Sequence, residues 1–190
     1  PYFINCFEDT NFQPNFEEVD ESTWSKCELL YLCTPGNPSG AVIPLGVMKH
    51  IIQLSDEHNF LIISDECYSE IYHREACPPP SILEACDSLN RSSYKNCLAF
   101  NSLSKRSNLP GLRSGFVAGD AELIEKFLLY RTYHGSAMPL HHQFVSELAW
   151  ADEDHVIQNR SLYREKVSAN KNILETVHSD PVPECGFFQW

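Results

Sequence analysis

A single lysine, Lys105, lies in a segment whose side chains could hold a phosphorylated carbonyl compound. Ser102 and Ser104 precede it, and Arg113 follows it, within the stretch SLSKRSNLPGLRSG. A lysine amine that is partly desolvated can form a Schiff base with a carbonyl group. Two hydroxyl groups and a guanidinium are suitable ligands for a phosphate. The same residue types also occur in ordinary basic loops, so this segment alone leaves both interpretations open.

Two further groups of polar residues come shortly after apolar runs. Asn37 begins the sequence NPSG, which follows the run ELLYLC. Asp65 and Tyr68 lie in the sequence DECY, which follows the run FLIIS. Each group also has a purely structural explanation, because Asn-Pro-x-Gly is a good turn, an aspartate can cap a helix, and a tyrosine can be a half-buried aromatic residue. The chemical interpretation therefore depends on whether the fold brings these groups to Lys105.

The apolar runs predict strands, and a helix between two of them predicts that these strands pair in parallel. Strands are expected at residues 2–7, 28–34, 60–66, 96–100 and 113–118. A helix is expected to begin at Pro44 and to end near Asn59, with one apolar face. That face consists of Leu45, Met48, Ile51 and Ile52. Because the carboxyl ends of parallel strands lie at one edge of a sheet, the three polar groups are expected to converge there.

The later part of the chain is expected to be mainly helical. Helices are predicted at residues 82–89, 121–130, 140–151 and 154–178. Asp120 is placed to cap the second of them, whose expected apolar face is Leu123, Ile124, Phe127 and Leu128. The last helix has the apolar side Val156, Tyr163, Val167, Leu174 and Val177, and its length is typical of a connector between domains. We therefore predict an α/β fold, with a mostly parallel sheet in three α/β/α layers.

Composition indicates a globular domain and argues against several classes of partner. The chain has 190 residues, of which 43% are hydrophobic, and its net charge is −12. The acidic charge argues against nucleic acid or an anionic membrane as a partner, and no run has the length of a membrane span. The start of the chain lacks the pattern of a signal peptide. The eight cysteines show no metal-binding spacing, so we expect no metal site and free, buried thiols, including Cys33 and Cys97.

Taken together and in this order, the motifs resemble those of pyridoxal-phosphate-dependent class I/II aminotransferases of the aspartate aminotransferase type. The matching sequences are NPSG, DECY, and SLSK followed eight positions later by the arginine of GLRSG. The sequences FLLYRTYHGSAM and CGFFQW are similar to further landmarks of that family. The blocks SLSKRSNLPGLRSGFVAGD and LLYRTYHGSAM are most similar to bacterial N-succinyldiaminopimelate aminotransferases. The resemblance covers residues 1–190 and corresponds to the middle of such an enzyme.

The resemblance implies that the cofactor is pyridoxal 5'-phosphate, and it implies a role for each motif residue. Lys105 would hold the cofactor as a Schiff base and then move a proton between the amino acid and the cofactor. Asp65 would pair with the ring nitrogen and keep it protonated, so that the ring accepts electrons. Asn37 and Tyr68 would hydrogen-bond the ring's 3' oxygen. The phosphate would be bound by Ser102, Ser104 and Arg113.

The implied reaction exchanges an amino group between an amino acid and a 2-oxo acid such as 2-oxoglutarate. Within the subgroup the donor would be N-succinyl-diaminopimelate, in lysine and diaminopimelate biosynthesis. The resemblance also implies the large domain of fold-type I enzymes, a cytoplasmic location and a homodimer of the full-length protein. Residues 1–151 would be the central part of the cofactor-binding large domain, 152–180 the connector helix, and 181–190 the start of the small C-terminal domain.

Several expectations limit what the segment could do alone. The family's glycine-rich phosphate turn, an aromatic residue that stacks on the cofactor ring and an arginine that binds the substrate carboxylate would all lie outside residues 1–190. The chain begins and ends in strand-like sequence, so we expect a segment of a longer protein that by itself binds the cofactor weakly and is nearly inactive. Arg106 is expected to be a charge at the surface or at a dimer edge. Tyr133 and His134 are expected to serve packing rather than substrate binding.

Two other functions remain compatible with the motifs. Pyridoxal-phosphate-dependent β-lyases and synthases share the roles of Asp65, Tyr68 and Lys105, so the cofactor motifs do not exclude them. Some transcription regulators use an aminotransferase-like domain as an effector sensor. No basic helix-turn-helix is visible in this acidic sequence, which disfavours that second function.

Overall fold

The computed structural model describes residues 1–135, 137–176 and 182–190, which form a mixed α/β fold around one sheet. The strands follow the order β1, β2, β3, β4 across the sheet. They are β1 (Leu29–Cys33), β2 (Leu61–Asp65), β3 (Cys97–Ser102) and β4 (Gly115–Gly119). The first three strands pair in parallel, and β4 pairs antiparallel with β3. The predicted α/β fold with a mostly parallel sheet is confirmed.

The helices occupy the connections between the strands and the region after β4. In the described part of the chain they are α1 (Glu21–Trp24), α2 (Leu45–His58), α3 (Ile82–Ser88), α4 (Leu103–Arg106), α5 (Ala121–Tyr133), α6 (Leu140–Ala151) and α7 (Asp154–Leu174). Single turns of 3-10 helix lie at Glu8–Thr10, Phe16–Glu18 and Pro110–Leu112. None of the described helices is both long and apolar enough to cross a bilayer.

Helix α2 forms where the sequence predicts it, between two parallel strands. Pro44, with φ of −64°, precedes the first helical residue, so the helix begins one position later than predicted. Met48, Ile51 and Ile52 are completely buried against the sheet, which confirms the predicted apolar face. Asn59 adopts left-handed φ and ends the helix. Because β1 and β2 pair in parallel on either side of α2, their carboxyl ends lie at the same edge of the sheet.

Glu66 anchors the end of β2 to the start of α3. Its carboxyl group is buried, and Oε1 accepts hydrogen bonds from the backbone N–H of Ile82 at 2.8 Å and from the Ser64 hydroxyl at 3.0 Å. Burial raises the pKa of Glu66, although these hydrogen bonds oppose the shift. The carboxyl group therefore satisfies an otherwise unpaired N–H at the start of α3.

Helices pack on both faces of the sheet. Ile62 and Cys97 belong to the buried core that includes residues of α2 and α3. Side chains alternate between the two faces along a strand, so Phe100, three positions after Cys97, lies on the other face of the sheet. There its ring contacts Phe127 of α5, with 6.4 Å between the ring centroids. Asp120 caps α5 as predicted, accepting hydrogen bonds from two backbone N–H groups of the first turn. The expected apolar face of α5 is only partly covered, since Leu123 and Ile124 are half-buried and Leu128 is 67% exposed.

Several sequence expectations about strands, cysteines and the last helix differ from the structure. Residues 2–7 form no strand and pair with no other described segment. The strand-like residues 186–190 form none either, and only an isolated bridge joins Cys185 to Tyr72. All eight thiols are free, and Cys97 is buried as expected, but Cys33 is exposed, as are Cys6 and Cys77. Helix α7 ends at Leu174, and the expected positions 177 and 178 lie outside the described residues.

Candidate active site

The carboxyl ends of β1, β2 and β3 bring residues from all three motifs together. The Asn37 amide Nδ2 donates a hydrogen bond to the Tyr68 hydroxyl at 3.3 Å. The Lys105 amine Nζ lies 5.5 Å from the centroid of the Tyr68 ring. Asp65 is the last residue of β2 and stands in register with Cys33 of β1 and Phe100 of β3. Parallel pairing therefore places an amine, a phenol, an amide and a carboxylate at one edge of the sheet.

Lys105 lies on the single-turn helix α4, between the strands predicted at residues 96–100 and 113–118, where no helix was predicted. Ser102 caps this helix, because its Oγ accepts a hydrogen bond from the backbone N–H of Ser104 at 3.1 Å. Leu103 is completely buried beneath the turn, whereas Lys105 is half-buried. The amine is thus carried by a capped turn directly attached to β3.

Aromatic rings face the amine of Lys105. Its Nζ lies 5.1 Å from the centroid of Phe187, in addition to its contact with Tyr68. The Phe187 ring stacks on Tyr163 of α7 at 5.3 Å and 17°. An ammonium group is attracted to the faces of such rings. The sequence predicts no role for Phe187, whose only signal is its position in CGFFQW, a segment similar to a landmark of the family.

Backbone hydrogen bonds hold the segment 182–190 beside the NPSG loop. The N–H of Cys185 donates to the carbonyl of Gly40 at 3.2 Å, and the N–H of Gly186 donates to that of Ile71 at 2.7 Å. Gly40 has φ of +71°, and a Cβ at this position would lie 2.2 Å from the carbonyl oxygen of Cys185. Only glycine suits both the backbone angle and this close approach. The last residue of NPSG therefore supports the segment that carries Phe187.

The charge of Asp65 acts on two neighbouring groups. Its exposed carboxylate accepts a hydrogen bond from the backbone N–H of Cys67 at 3.0 Å. Burial, reinforced by Asp65, raises the pKa of the Cys67 thiol to about 12. Burial also raises the pKa of Tyr68, and the nearby charges of Cys33 and Asp65 act in the same direction. Tyr68 therefore keeps its proton at neutral pH and remains a hydrogen-bond donor.

The two serines of the lysine motif lie together, whereas Arg113 is directed elsewhere. The hydroxyl oxygens of Ser102 and Ser104 are 2.8 Å apart, and the Ser102 hydroxyl also donates to the carbonyl of Ser114 at 3.1 Å. Arg113 is exposed, with φ of +54°, and its guanidinium donates to the carbonyl of Pro110 at 2.7 Å. The structure thus places the serines next to Lys105 without bringing Arg113 to them.

Arg106 is buried, which corrects the expectation of a surface charge. Its Nη1 donates to the carbonyl of Ala149 at 2.8 Å, and its Nη2 forms an ion pair with Glu153. Its guanidinium carbon lies 5.0 Å from the centroid of Trp150. Arg106 therefore joins α4 to the junction between α6 and α7. No local sequence pattern predicts this contact, since the partners of Arg106 lie more than forty positions away.

The end of α5 does not provide the packing that was expected of it. Tyr133 is 84% exposed, so the expectation that it serves packing is wrong. The ring of His134 lies 4.9 Å from that of Tyr130, a contact between exposed residues of the same turn. Neither residue is among the contacts of Lys105.

Comparison with known proteins identifies the family. The model of the family described as aminotransferase class I and II matches residues 1–177. The chain belongs to this family. Its members are pyridoxal-phosphate-dependent aminotransferases, which confirms the resemblance seen in the motifs.

Individual relatives agree with the family assignment. An aminotransferase of Neisseria meningitidis superposes with a TM-score of 0.89 at 49% identity, over 95% of this chain and 45% of that one. The aminotransferase AspB of Helicobacter pylori gives 0.87 at 36% identity, over 96% and 46%. The LL-diaminopimelate aminotransferase of Nitratidesulfovibrio vulgaris is 27% identical over 99% of this chain and 48% of its own length. The chain therefore spans about half the length of the curated relatives that it matches.

Proposed function

We propose that the chain is the central part of a pyridoxal-phosphate-dependent aminotransferase, in which Lys105 holds the cofactor. The observation that carries this proposal is the meeting of Asn37, Tyr68 and Lys105 at one sheet edge, in a chain of this family. When bound, the cofactor supplies an electron sink for negative charge at the α-carbon of an amino acid. The side chains of the site would bind it, orient it and move a proton.

The donors and acceptors of the site fit the chemical groups of the cofactor. The amine of Lys105 is a partner for its aldehyde, and the exposed carboxylate of Asp65 is a partner for its protonated ring nitrogen. Asn37 keeps a second amide N–H, and Tyr68 keeps its hydroxyl proton, beside the hydrogen bond that joins them. Two donors separated by 3.3 Å can share one oxygen acceptor, as the 3' oxygen of the ring requires.

The phosphate is assigned to Ser102, Ser104 and Arg113. The two hydroxyl oxygens lie side by side at 2.8 Å, and the backbone turn of α4 fixes them. To reach the phosphate, the Arg113 guanidinium would have to break its hydrogen bond to the carbonyl of Pro110. This rearrangement is inexpensive because the hydrogen bond is exposed, so water can replace it. A charge-assisted contact to phosphate would more than offset the loss.

Lys105 is also proposed to move the proton of the reaction. In its neutral form Nζ accepts the proton that leaves the amino-acid α-carbon and later returns it. The rings of Tyr68 and Phe187 stand 5.5 and 5.1 Å from Nζ and cover part of the half-buried Lys105 side chain.

We propose N-succinyl-diaminopimelate as the amino donor and a 2-oxo acid such as 2-oxoglutarate as the acceptor, in lysine and diaminopimelate biosynthesis. The donor is supported by the similarity of the blocks SLSKRSNLPGLRSGFVAGD and LLYRTYHGSAM to those of bacterial N-succinyldiaminopimelate aminotransferases. A relative named LL-diaminopimelate aminotransferase supports the pathway rather than the succinyl group. We also propose the domain limits 1–151, 152–180 and 181–190, a cytoplasmic location, and a homodimer of the full-length protein. Exposed apolar residues of α5 and α6, including Leu128, Phe144 and Leu148, support the presence of further packed protein there.

The test is a donor screen with the full-length protein. The enzyme is incubated with 2-oxoglutarate and either N-succinyl-diaminopimelate or LL-diaminopimelate, and glutamate is measured. We expect faster glutamate formation with the succinylated donor and none from the Lys105→Ala variant. Faster reaction with the unsuccinylated donor would contradict the substrate assignment alone. In a parallel incubation with a cysteine thioether, which carries a thiolate leaving group at Cβ, release of pyruvate, ammonia and the thiol without a 2-oxo acid would identify a β-lyase and contradict the proposed reaction.

A further inference from the structure

We propose that Asn159, on α7, is a positioning residue for Lys105, an inference that rests on the proposed function of this lysine. The Asn159 amide Nδ2 donates hydrogen bonds to the carbonyl oxygens of Lys105 at 3.1 Å and of Arg106 at 3.3 Å. Asn159 lies 54 positions from Lys105 in the sequence. A side chain of the long helix thus binds the backbone of the residue that would carry the cofactor.

Helix α4 needs such an external partner because it is only four residues long. The last carbonyl groups of any helix have no N–H partner within the helix. Here the carbonyl of Leu103 accepts from the N–H groups of Ser107 at 3.1 Å and Leu109 at 3.2 Å. The carbonyl oxygens of Lys105 and Arg106 instead accept hydrogen bonds from the Asn159 side-chain amide. Asn159 therefore acts as a cap for the carboxyl end of α4.

Two further contacts join the same pair of elements. The His155 ring nitrogen Nε2 lies 2.8 Å from the Ser107 hydroxyl, and its Nδ1 lies 2.9 Å from the Asp152 carboxylate. Arg106 forms its ion pair with Glu153. Each partner belongs to the junction of α6 and α7 or to the first turns of α7. The carboxyl end of α4 is consequently attached to α7 and to Glu153, the residue before it, by three side-chain contacts.

The same helix also positions the ring that faces the amine of Lys105. Tyr163 lies four positions after Asn159, and residues at this spacing share a face of a helix. Its ring stacks on Phe187, whose centroid is 5.1 Å from Nζ. Helix α7 therefore fixes both the backbone of Lys105 and the aromatic surface against which its amine rests. The Asn159 amide is the one of these contacts that binds the Lys105 backbone itself, so its loss would allow this backbone to move relative to the aromatic surface even though the contacts of Arg106 and His155 remain.

The experiment compares Asn159→Ala with Asn170→Ala in the full-length protein. Asn170 is a matched control, since it is exposed on the same helix and donates only within it, to the carbonyl of Lys166 at 2.9 Å. In the cofactor-free protein, backbone hydrogen exchange of residues 103–109 is measured by mass spectrometry. Exchange should be about tenfold faster in Asn159→Ala and unchanged in Asn170→Ala, as expected for the loss of a capping hydrogen bond.

Two measurements on the loaded enzyme test the positioning role itself. The rate at which added pyridoxal phosphate becomes reducible by borohydride at Lys105 should fall about tenfold in Asn159→Ala. Turnover kcat should fall by a similar factor, with KM changed less than about twofold, because the lost contact orients Lys105 and does not touch the substrate. The variant Asn159→Asp keeps the side-chain size but lacks the N–H donors, and it should show the same changes even where Asn159→Ala folds poorly.

The outcomes separate this inference from the proposed function. If both Asn159 variants match Asn170→Ala in exchange, attachment rate and kcat, the positioning role is refuted even though Lys105 carries the cofactor. If wild-type Lys105 forms no adduct while exchange at residues 103–109 still responds to Asn159→Ala, the proposed function fails. In that case the capping of the Lys105 turn by Asn159 is nevertheless supported.

Discussion

Gly40→Ala should detach the segment 182–190 from the candidate site. The new Cβ would lie 2.2 Å from the carbonyl oxygen of Cys185, which is backbone and lacks the freedom of a side-chain end. The φ of +71° adds about 1–2 kcal/mol of strain for a residue with a Cβ. Relief of the clash breaks the hydrogen bond from the Cys185 N–H to the Gly40 carbonyl, worth about 1 kcal/mol. We therefore expect a loss of about 3 kcal/mol in the free energy of unfolding.

The control for this substitution is Gly46→Ala. Gly46 lies in α2, and a Cβ there would have no atom within 4 Å. Alanine favours a helix more than glycine does, so this variant should gain about 0.5–1 kcal/mol. Urea denaturation of the full-length protein measures both values. If Gly40→Ala proved as stable as Gly46→Ala, the close approach of the segment to the NPSG loop would be refuted, and with it the placement of Phe187.

Three further substitutions or measurements test other parts of the account. Glu66→Ala should lower the free energy of unfolding by about 2–3 kcal/mol, because the N–H of Ile82 loses its buried acceptor. Glu66→Gln keeps an acceptor oxygen and should lower it by only about 1 kcal/mol, so equal losses in urea denaturation would contradict this role of Glu66. Cys67, with its pKa raised to about 12, should react with iodoacetamide at pH 8 at least about a hundredfold more slowly than exposed Cys77. Because the pKa is raised from 9.0, the folding stability linked to this thiol is present below pH 9 and is lost as the pH rises toward 12. Tyr68→Phe should retain the Lys105 adduct but weaken pyridoxal phosphate binding about fivefold in a fluorescence titration, and unchanged affinity would remove its proposed contact to the ring oxygen.

The convergence of the polar motifs could be predicted because it depends on local rules. Continuous apolar runs indicate parallel strands, and the spacing of Met48, Ile51 and Ile52 indicates the helix between them. The run of β1 suggests burial on both faces, but β1 is an edge strand in which Leu29 and Tyr31 are exposed. Parallel pairing then places Asn37 and Lys105 at the same edge without any knowledge of distant contacts. The pairing direction of β4 was not specified by its short sequence, and the structure shows it antiparallel.

The remaining features of the site depend on contacts that are distant in sequence. The single turn that carries Lys105 has a local signal in the capping serine Ser102, but the side chains that hold this turn come from α7. Arg106 looks like a surface cation in sequence because nothing near it indicates Glu153. Phe187 reaches the amine through backbone contacts of its own segment. Such tertiary contacts have no periodic pattern that a single sequence would reveal.

The central claim is that Lys105 forms the covalent attachment to the cofactor. The direct test treats the full-length protein with pyridoxal 5'-phosphate, reduces it with borohydride and maps the modified peptide by mass spectrometry. The account predicts the modification on Lys105 and its absence in Lys105→Ala. Modification of a different lysine, or an unchanged yield of adduct in Lys105→Ala, would contradict it.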